Sequence, residues 1–168
     1  MILPSTAYLF RLTKAVLVLA TACMAMLVVF GNITDYSTNF LFVKHVLLMD
    51  TTFANSELLY RSIHSPVLFH TSYIFIIVLE ILMACCCIKG SWLLFKHLRS
   101  DAEAFHAVKK WAVAGLLIGI ITWLLGFEVI GGEWFAMWQS TTWNGLGSAE
   151  RIVSFLLLTL ILLQMKDD

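Results

Sequence analysis

The stretch that decides the fold is PVLFHTSYIFIIVLEILMACCCIK, residues 66–89. A transmembrane helix needs about 20 mainly apolar residues, and this stretch meets that length. Ser65 is a suitable N-cap, and Pro66 falls at the first helical position, where a missing N–H costs little. The stretch therefore predicts a membrane-spanning helix with a single carboxylate, Glu80, inside its apolar run.

Three more apolar runs extend this interpretation to the whole chain, with helices expected at about 13–31, 109–128 and 148–166. Hydrophobic residues make up 60% of the 168 residues, charged residues only 13%, and the mean hydropathy is +0.87. A soluble protein of this size needs a more polar surface. The sequence predicts an all-α membrane protein: one domain, 1–168, forming a four-transmembrane-helix bundle.

The distribution of basic residues predicts the orientation, because loops on the cytoplasmic side carry more lysine and arginine. The predicted inner loop, 90–108, and the chain ends contrast with the predicted outer loops, 31–65 and 129–148. Eight of the 11 basic residues flank the inner side: Arg11, Lys14, Lys89, Lys96, Arg99, Lys109, Lys110 and Lys166. Both termini are therefore expected in the cytoplasm. The formal net charge of zero gives no indication of a nucleic-acid partner.

The first apolar run is expected to stay in the protein as a helix, because it continues well past Cys23, where a cleaved signal peptide would end. Cys85, Cys86 and Cys87 fall near the inner end of the second helix. None of the four cysteines lies in an outer loop, so no structural disulfide is expected. Consecutive helical cysteines point in different directions and suit small apolar packing better than metal binding or acylation.

The outer loops contain enough apolar and aromatic residues to form a structured cap. Residues 37–50 suit a short helix or a re-entrant piece on the outer interface. The preceding GNITDY, residues 31–36, is typical of a turn. Trp134 and Trp138 lie four residues apart, so a short helix would place both on one face. They are typical of an interfacial aromatic belt, with a ligand or partner surface as the alternative.

Glu80 is the costliest residue to place, because an ionised carboxylate inside hydrocarbon needs a partner or a proton. It lies about 13 Å from Lys89 at ~1.5 Å per residue. We expect it to face the bundle, near Thr21 or Thr159, which reach a similar depth. It serves either as a structural hydrogen-bonding group or as a relay for a proton or cation.

A second polar cluster is expected near the outer boundary, formed by His70, Glu128 and Arg151. Glu128 ends the third helix and Arg151 begins the fourth, so the two are expected to form an ion pair. The cluster either locks the top of the bundle or lines a vestibule. The outer histidines and acids have no spacing typical of a metal site, and facing histidines for a haem are lacking in the third and fourth helices. No cofactor is expected.

Two stretches carry a resemblance to a known family: GNITDYSTNFLFVKHVLLMDTTF, residues 31–53, and GFEVIGGEWFAMWQSTTWNG, residues 126–145. They resemble the signature stretches of a bacterial family of predicted small integral membrane proteins of unknown function. The resemblance implies a bacterial inner membrane and four helices, and it brings no activity with it. It places characteristic residues in the outer cap, at Asn32, Thr34, Asp35, Tyr36, His45, Asp50, Thr51, Thr52, Glu133, Trp134, Trp138, Gln139, Trp143 and Asn144.

These observations favour a non-catalytic protein that binds a partner through its extracytoplasmic cap, as an accessory or assembly subunit of a membrane complex. The alternative is a small transporter or ion-conducting protein that uses Glu80. The expected partners are the lipid bilayer and a membrane protein or a second copy of the chain. The residues expected to recognise a partner are Asp35, Tyr36, His45, Asp50, Glu133, Trp134, Trp138 and Trp143.

Overall fold

A computed structural model describes residues 5–168. Four helices in this range are long and apolar enough to cross a membrane, and the described part of the chain contains no strand. The helices are α1 (Thr6–Thr34), α2 (Tyr36–Leu48), α3 (Pro66–Lys96), α4 (Ala102–Ala107), α5 (Lys110–Ile120) and α6 (Leu146–Gln164). The predicted all-α, four-helix membrane fold is confirmed.

The third span is not a regular α-helix. Beyond Ile120, α5 continues as a π-helical segment, Ile121–Trp134, and it closes with an i→i+5 bond from the Phe135 amide to the Ile130 carbonyl. π-helical turns usually occur singly and often at functional sites, so a segment of 14 residues is unusual. Because each residue advances less around the axis than in an α-helix, this winding changes which side chains face the bundle.

The core lies around α3, which packs against α1 on one side and α5 on another, while α6 closes the bundle against α5, the π-helical segment and α1. Small residues allow the backbones to approach closely. At Gly90 a Cβ atom would lie 2.5 Å from the backbone nitrogen of Ala112. Glycine is therefore required where α3 meets α5.

The helix boundaries differ from the sequence predictions in physically interpretable ways. Ser65 caps α3 as expected, and its hydroxyl accepts from the Leu68 amide. However, α3 extends to Lys96 instead of ending near Lys89. The predicted turn at residues 31–36 is wrong, because α1 continues through Asn32 to Thr34 and only Asp35 separates it from α2.

Residues 35–65 and 135–145, called the cap below, form one structured unit. The Gln139 side chain accepts from the Phe53 amide, and the Thr51 and Ser140 hydroxyls are bonded at 2.8 Å. Residues 37–48 are helical, so the short helix is confirmed over most of the predicted range 37–50, and the helix ends before Met49. They pack against the first half of α3, where Val43 and Leu47 are buried. The predicted structured cap is therefore present at the end of the bundle remote from residues 5 and 168.

The opposite end, called the termini end, holds a buried ionic cluster that sequence analysis did not predict. The Asp167 carboxylate lies 2.6 Å from the ammonium groups of both Lys14 and Lys109. Arg11 donates to the Asp167 backbone carbonyl at 3.0 Å. All four residues are buried. The cluster fixes the end of the chain between α1 and the start of α5.

Burial acts to raise the pKa of Asp167, but the hydrogen bonds and positive charges of Lys109 and Lys14 outweigh it. The net result is a pKa below the ordinary aspartate value. The Asp167 carboxylate is therefore ionised at neutral pH and lies within salt-bridge distance of both lysines, while burial lowers the pKa of Lys109. His106 lies farther from the same carboxylate, at 3.9 Å.

Candidate functional site

Glu80 faces the bundle, as predicted, with only 2% of its surface exposed. Its partner is Asn32, whose side-chain amide donates to Glu80 Oε2 at 2.7 Å. The Tyr73 hydroxyl donates to the Asn32 backbone carbonyl at 2.9 Å. Tyr73 lies two α-helical turns before Glu80 on the same face of α3. The amide of Asn32 is thus held in position to bind the carboxylate.

The expected neighbours Thr21 and Thr159 do not bond Glu80. Each hydroxyl donates to the carbonyl four residues earlier in its own helix, from Thr21 to Leu17 and from Thr159 to Phe155. That prediction was wrong because α3 extends beyond α1 at the cap end. Glu80 lies near the middle of α3 but beside Asn32, in the last turn of α1.

The second oxygen of the Glu80 carboxylate is available to a ligand. Oε1 accepts no hydrogen bond from residues 5–168, and it is not among the fully occluded atoms that lack a partner. Glu80 lines a cavity of about 480 Å³. The cavity extends from Glu80 to Thr142, Asn144 and Ser148, which are exposed on the cap side. A carboxylate oxygen therefore faces a space that reaches the surface.

The cavity wall combines aromatic and polar side chains. Five aromatic side chains line it: Phe42, Tyr73, Trp123, Phe127 and Trp143. Its remaining polar residues are Asn32, Asn39, Glu80, Thr142, Asn144 and Ser148, and none of the lining residues is basic. Glu80 is thus the sole carboxylate that the described residues place in this wall. The cavity therefore combines one buried carboxyl group with several aromatic faces.

Below Glu80, towards the termini end, the bundle is tightly packed. Met83, Leu116 and Leu156 are fully buried. A Cβ atom at Gly119 would lie 2.8–2.9 Å from Leu156 and Met83 side-chain atoms. Packing of this density leaves no space for a solute between these helices. The cavity therefore ends at Glu80 and does not continue through the bundle in this conformation.

A second cavity, of about 320 Å³, lies between α2, α3 and the π-helical segment. Its lining is apolar except for Ser72 and Thr122, and the Thr122 hydroxyl donates to the Ile118 carbonyl. Hydrocarbon suits this groove, and it holds no group able to do chemistry. Of the two cavities, only the one at Glu80 is lined by an ionisable carboxyl group.

The predicted cluster of His70, Glu128 and Arg151 does not form. No ion pair joins Glu128 to Arg151 in the described structure, and Arg151 is exposed. His70 Nδ1 lies 2.8 Å from the Tyr36 hydroxyl instead. The prediction placed Glu128 at the end of the third helix, whereas the π-helical segment continues past it to Trp134. One Glu128 oxygen, Oε1, is buried without a hydrogen-bond partner.

The histidines and acids of the cap form separate local pairs. His45 Nδ1 lies 2.8 Å from an Asp50 oxygen, and the His45 ring stacks on Trp143 with centroids 4.7 Å apart. Through Trp143 this pair borders the cavity. Asp35 and Glu133 are exposed. Among residues 5–168 no three His, Cys, Asp or Glu side chains group closely enough to hold a metal ion.

Trp134 and Trp138 are about half exposed, and the structure does not place them at the cavity. The Arg61 guanidinium lies 4.6 Å from the Trp134 ring centroid and 5.4 Å from that of Tyr60. Trp138 packs edge-on against Phe53. These side chains form a surface of their own on the cap, separate from Glu80.

Sequence analysis missed Asn32 and Trp123 as site residues. Asn32 was assigned to a turn. Its position near the end of an apolar run could have suggested that its amide lies at the same depth as a polar group on a neighbouring helix. Trp123 is 4% exposed and lies in the π-helical segment. The spacing of apolar residues in an α-helix does not predict which side chains face the bundle in such a segment. The three consecutive cysteines point different ways, with Cys85 exposed and Cys87 buried, and all are free.

A comparison with protein families matches residues 10–166 to the family described as "Predicted small integral membrane protein (DUF2165)". No curated protein and no solved structure matches the chain. The matched region contains all four candidate spans except the first residues of α1. The chain therefore belongs to this family of predicted small integral membrane proteins.

Proposed function

We propose that this integral membrane protein is non-catalytic and binds a cationic solute at Glu80, through the cavity that reaches the cap surface. The observation that carries the proposal is the free Oε1 oxygen of a carboxylate that is 98% buried and faces open space. A buried charge is stable only when it is paired or neutralised. A cation in the cavity supplies the missing partner.

The packing below Glu80 supports binding rather than conduction. Met83, Leu116 and Leu156 are fully buried directly towards the termini end. A transporter built on this site therefore needs α3, α5 and α6 to separate there after the solute has bound. Under the alternative function, a small transporter, this structure is the conformation of a carrier that is closed at the termini end.

The chemical setting of the site gives no support to catalysis. General acid–base chemistry in glycosidases and proteases relies on paired groups within reach of one another. The hydrogen-bond partner of Glu80 is the Asn32 amide, which in turn accepts from the Tyr73 phenol through its backbone carbonyl. A single carboxylate that is held in place by an amide is suited to bind a cation. This is the basis for proposing a binding protein.

The proposal is tested by the charge selectivity of thiol modification at the cavity mouth. Ser148→Cys places a thiol at the exposed edge of the cavity. Its reaction rates with a trimethylammonium and a sulfonate methanethiosulfonate are compared in proteoliposomes. Clefts of one charge sign raise the local concentration of counter-ions by about tenfold or more. The ratio of the trimethylammonium rate to the sulfonate rate should therefore fall by about tenfold or more when Glu80→Gln is added.

Gly147→Cys is the matched control, because Gly147 is exposed beside Ser148 but does not line the cavity. Its rate ratio should be insensitive to Glu80→Gln. Equal ratios at position 148 with and without Glu80→Gln would refute the proposal, since the carboxylate would then exert no field on the cavity.

A second function, binding of a membrane-protein partner through the cap, is favoured by a different observation. Phe53, Tyr60, Trp134 and Trp138 are each about half exposed or more, and Arg61 lies over two of the rings. Trp, Tyr and Arg are enriched where protein interfaces gain most of their affinity. We propose that this aromatic surface recognises an accessory partner or a second copy of the chain.

Co-purification in mild detergent tests this second function. Trp134→Ser with Trp138→Ser should release a stoichiometric partner. Trp92→Ser is the control, because Trp92 is 59% exposed at the termini end. If the cap variants keep the partner, or if the control loses it equally, the aromatic surface of the cap is not the recognition site. We further propose a bacterial inner membrane with both termini in the cytoplasm.

A further inference from the structure

We infer that the solute at Glu80 is an organic ammonium ion, with its charged nitrogen at Glu80 Oε1 and its hydrocarbon body against the aromatic wall. This inference rests on the proposed function and narrows it from any cation to an alkylammonium. It is carried by three features of the cavity: the position of the single carboxylate, the nature of the wall and the size of the space.

The carboxylate is arranged to accept one cation from one direction. Asn32 occupies Oε2 at 2.7 Å, and Tyr73 fixes Asn32 in turn. Oε1 is left facing the cavity. Because none of the lining residues is basic, the protein itself does not neutralise this charge from within the cavity. An ammonium group that enters the cavity therefore contacts a carboxylate that is held in place and has only one of its two oxygens hydrogen-bonded.

The wall suits a cation that has lost its water. Alkylammonium groups are attracted to the faces of aromatic rings, most strongly to tryptophan, within about 6 Å of the ring centroid. Trp123, Trp143, Phe42 and Phe127 supply such rings around the space above Glu80. These rings replace hydration for a methylated or alkylated ammonium group and also pack against its carbon atoms.

The same features disfavour an inorganic cation. Hard cations such as Ca²⁺ require about six or more oxygen ligands at short distance. Asn32 already uses its amide on Glu80, and the described residues contain no cluster of three metal-ligating side chains. The cavity of about 480 Å³ is far larger than one ion. It falls within the ~300–1,000 Å³ of ordinary small-molecule sites.

The test compares choline with 3,3-dimethyl-1-butanol, its uncharged carbon analogue of nearly the same shape. Binding to the full-length protein in nanodiscs is measured by isothermal titration calorimetry, with 2-aminoethanol as a primary-ammonium probe. Choline or 2-aminoethanol should bind at least tenfold more tightly than the neutral alcohol. Glu80→Gln should abolish that preference, and Trp143→Leu should weaken choline binding severalfold.

Trp134→Leu is the control, because Trp134 is exposed on the cap and does not line the cavity. It should leave binding unchanged. If Glu80→Gln does not fold, as judged by gel filtration, the comparison of Trp143→Leu with Trp134→Leu decides the question. Equal binding of choline and the neutral alcohol would overturn the inference, as would equal effects of the two tryptophan variants.

Failure of this inference is distinguishable from failure of the proposed function. If neither ammonium probe binds while thiol modification at position 148 stays charge-selective, the cavity accepts cations but not organic ammonium ions. That outcome overturns the inference alone. If charge selectivity is also absent, both are wrong.

Discussion

Replacing Asp167 with asparagine should destabilise the protein strongly, although the residue is next to last in the chain. The carboxylate bridges Lys14 and Lys109 at 2.6 Å each, and the side chains of all three are at most 3% exposed. Asparagine keeps one acceptor oxygen but leaves two buried ammonium groups without a counter-charge. Breaking a buried ion pair costs about 3–5 kcal/mol. The unfolding constant should therefore rise roughly 10²-fold to more than 10³-fold.

The assay is unfolding in mild detergent with increasing dodecyl sulfate, followed by tryptophan fluorescence. Asp168→Asn is the matched control, since it removes the same charge one residue later from an exposed side chain. Adding Lys109→Met to Asp167→Asn removes one unpaired cation and should recover part of the loss. If Asp167→Asn unfolds at the same dodecyl sulfate concentration as Asp168→Asn, the buried cluster at the termini end does not stabilise the fold.

Three more predictions follow from the same structure. The stabilisation by Asp167 should be fully present at neutral pH and should decline as the pH falls below about 4, because its pKa is lowered in the folded state and the contribution is lost on protonation; the difference in stability between wild type and Asp167→Asn, measured against pH, checks this, and a difference that stays constant from about pH 7 down to about pH 2 would contradict it. Gly90→Ala should cost about 1–3 kcal/mol through overpacking against the neighbouring helix, whereas Gly147→Ala, which meets no atom within 4 Å, should be nearly neutral in the same unfolding assay. Finally, an impermeant thiol reagent should modify Thr38→Cys but not Glu103→Cys in intact bacteria, both positions being exposed; the reverse pattern would invert the proposed orientation.

Much of the fold could be predicted because membrane insertion depends on a property that sequence shows directly. Apolar runs of sufficient length located all four spans, and Ser65 and Pro66 located the start of α3. These features depend on residues close together in the chain.

The remaining features depend on contacts between distant segments or on unusual winding. The ends of α1 and α3 are offset, so depth arithmetic along one helix gave Glu80 the wrong neighbours and overlooked Asn32. The third span continues past Glu128 to Trp134, so Glu128 does not end a helix as the expected ion pair with Arg151 required. Lys109 was counted as a surface cation, but the end of the chain folds back to bury it. None of these arrangements can be predicted from hydropathy.

The inner limit of the cavity tests the central claim most directly, since the proposed site exists only if solvent reaches Glu80. Ile152 lines the cavity, whereas Leu156 lies one turn farther along α6, fully buried and outside the lining. Ile152→Cys and Leu156→Cys are each exposed to a small water-soluble thiol reagent, and mass spectrometry locates the label. We expect modification at position 152 and protection at position 156. Protection at both positions would contradict a solvent-accessible carboxylate, and modification at both would contradict a cavity that ends at Glu80.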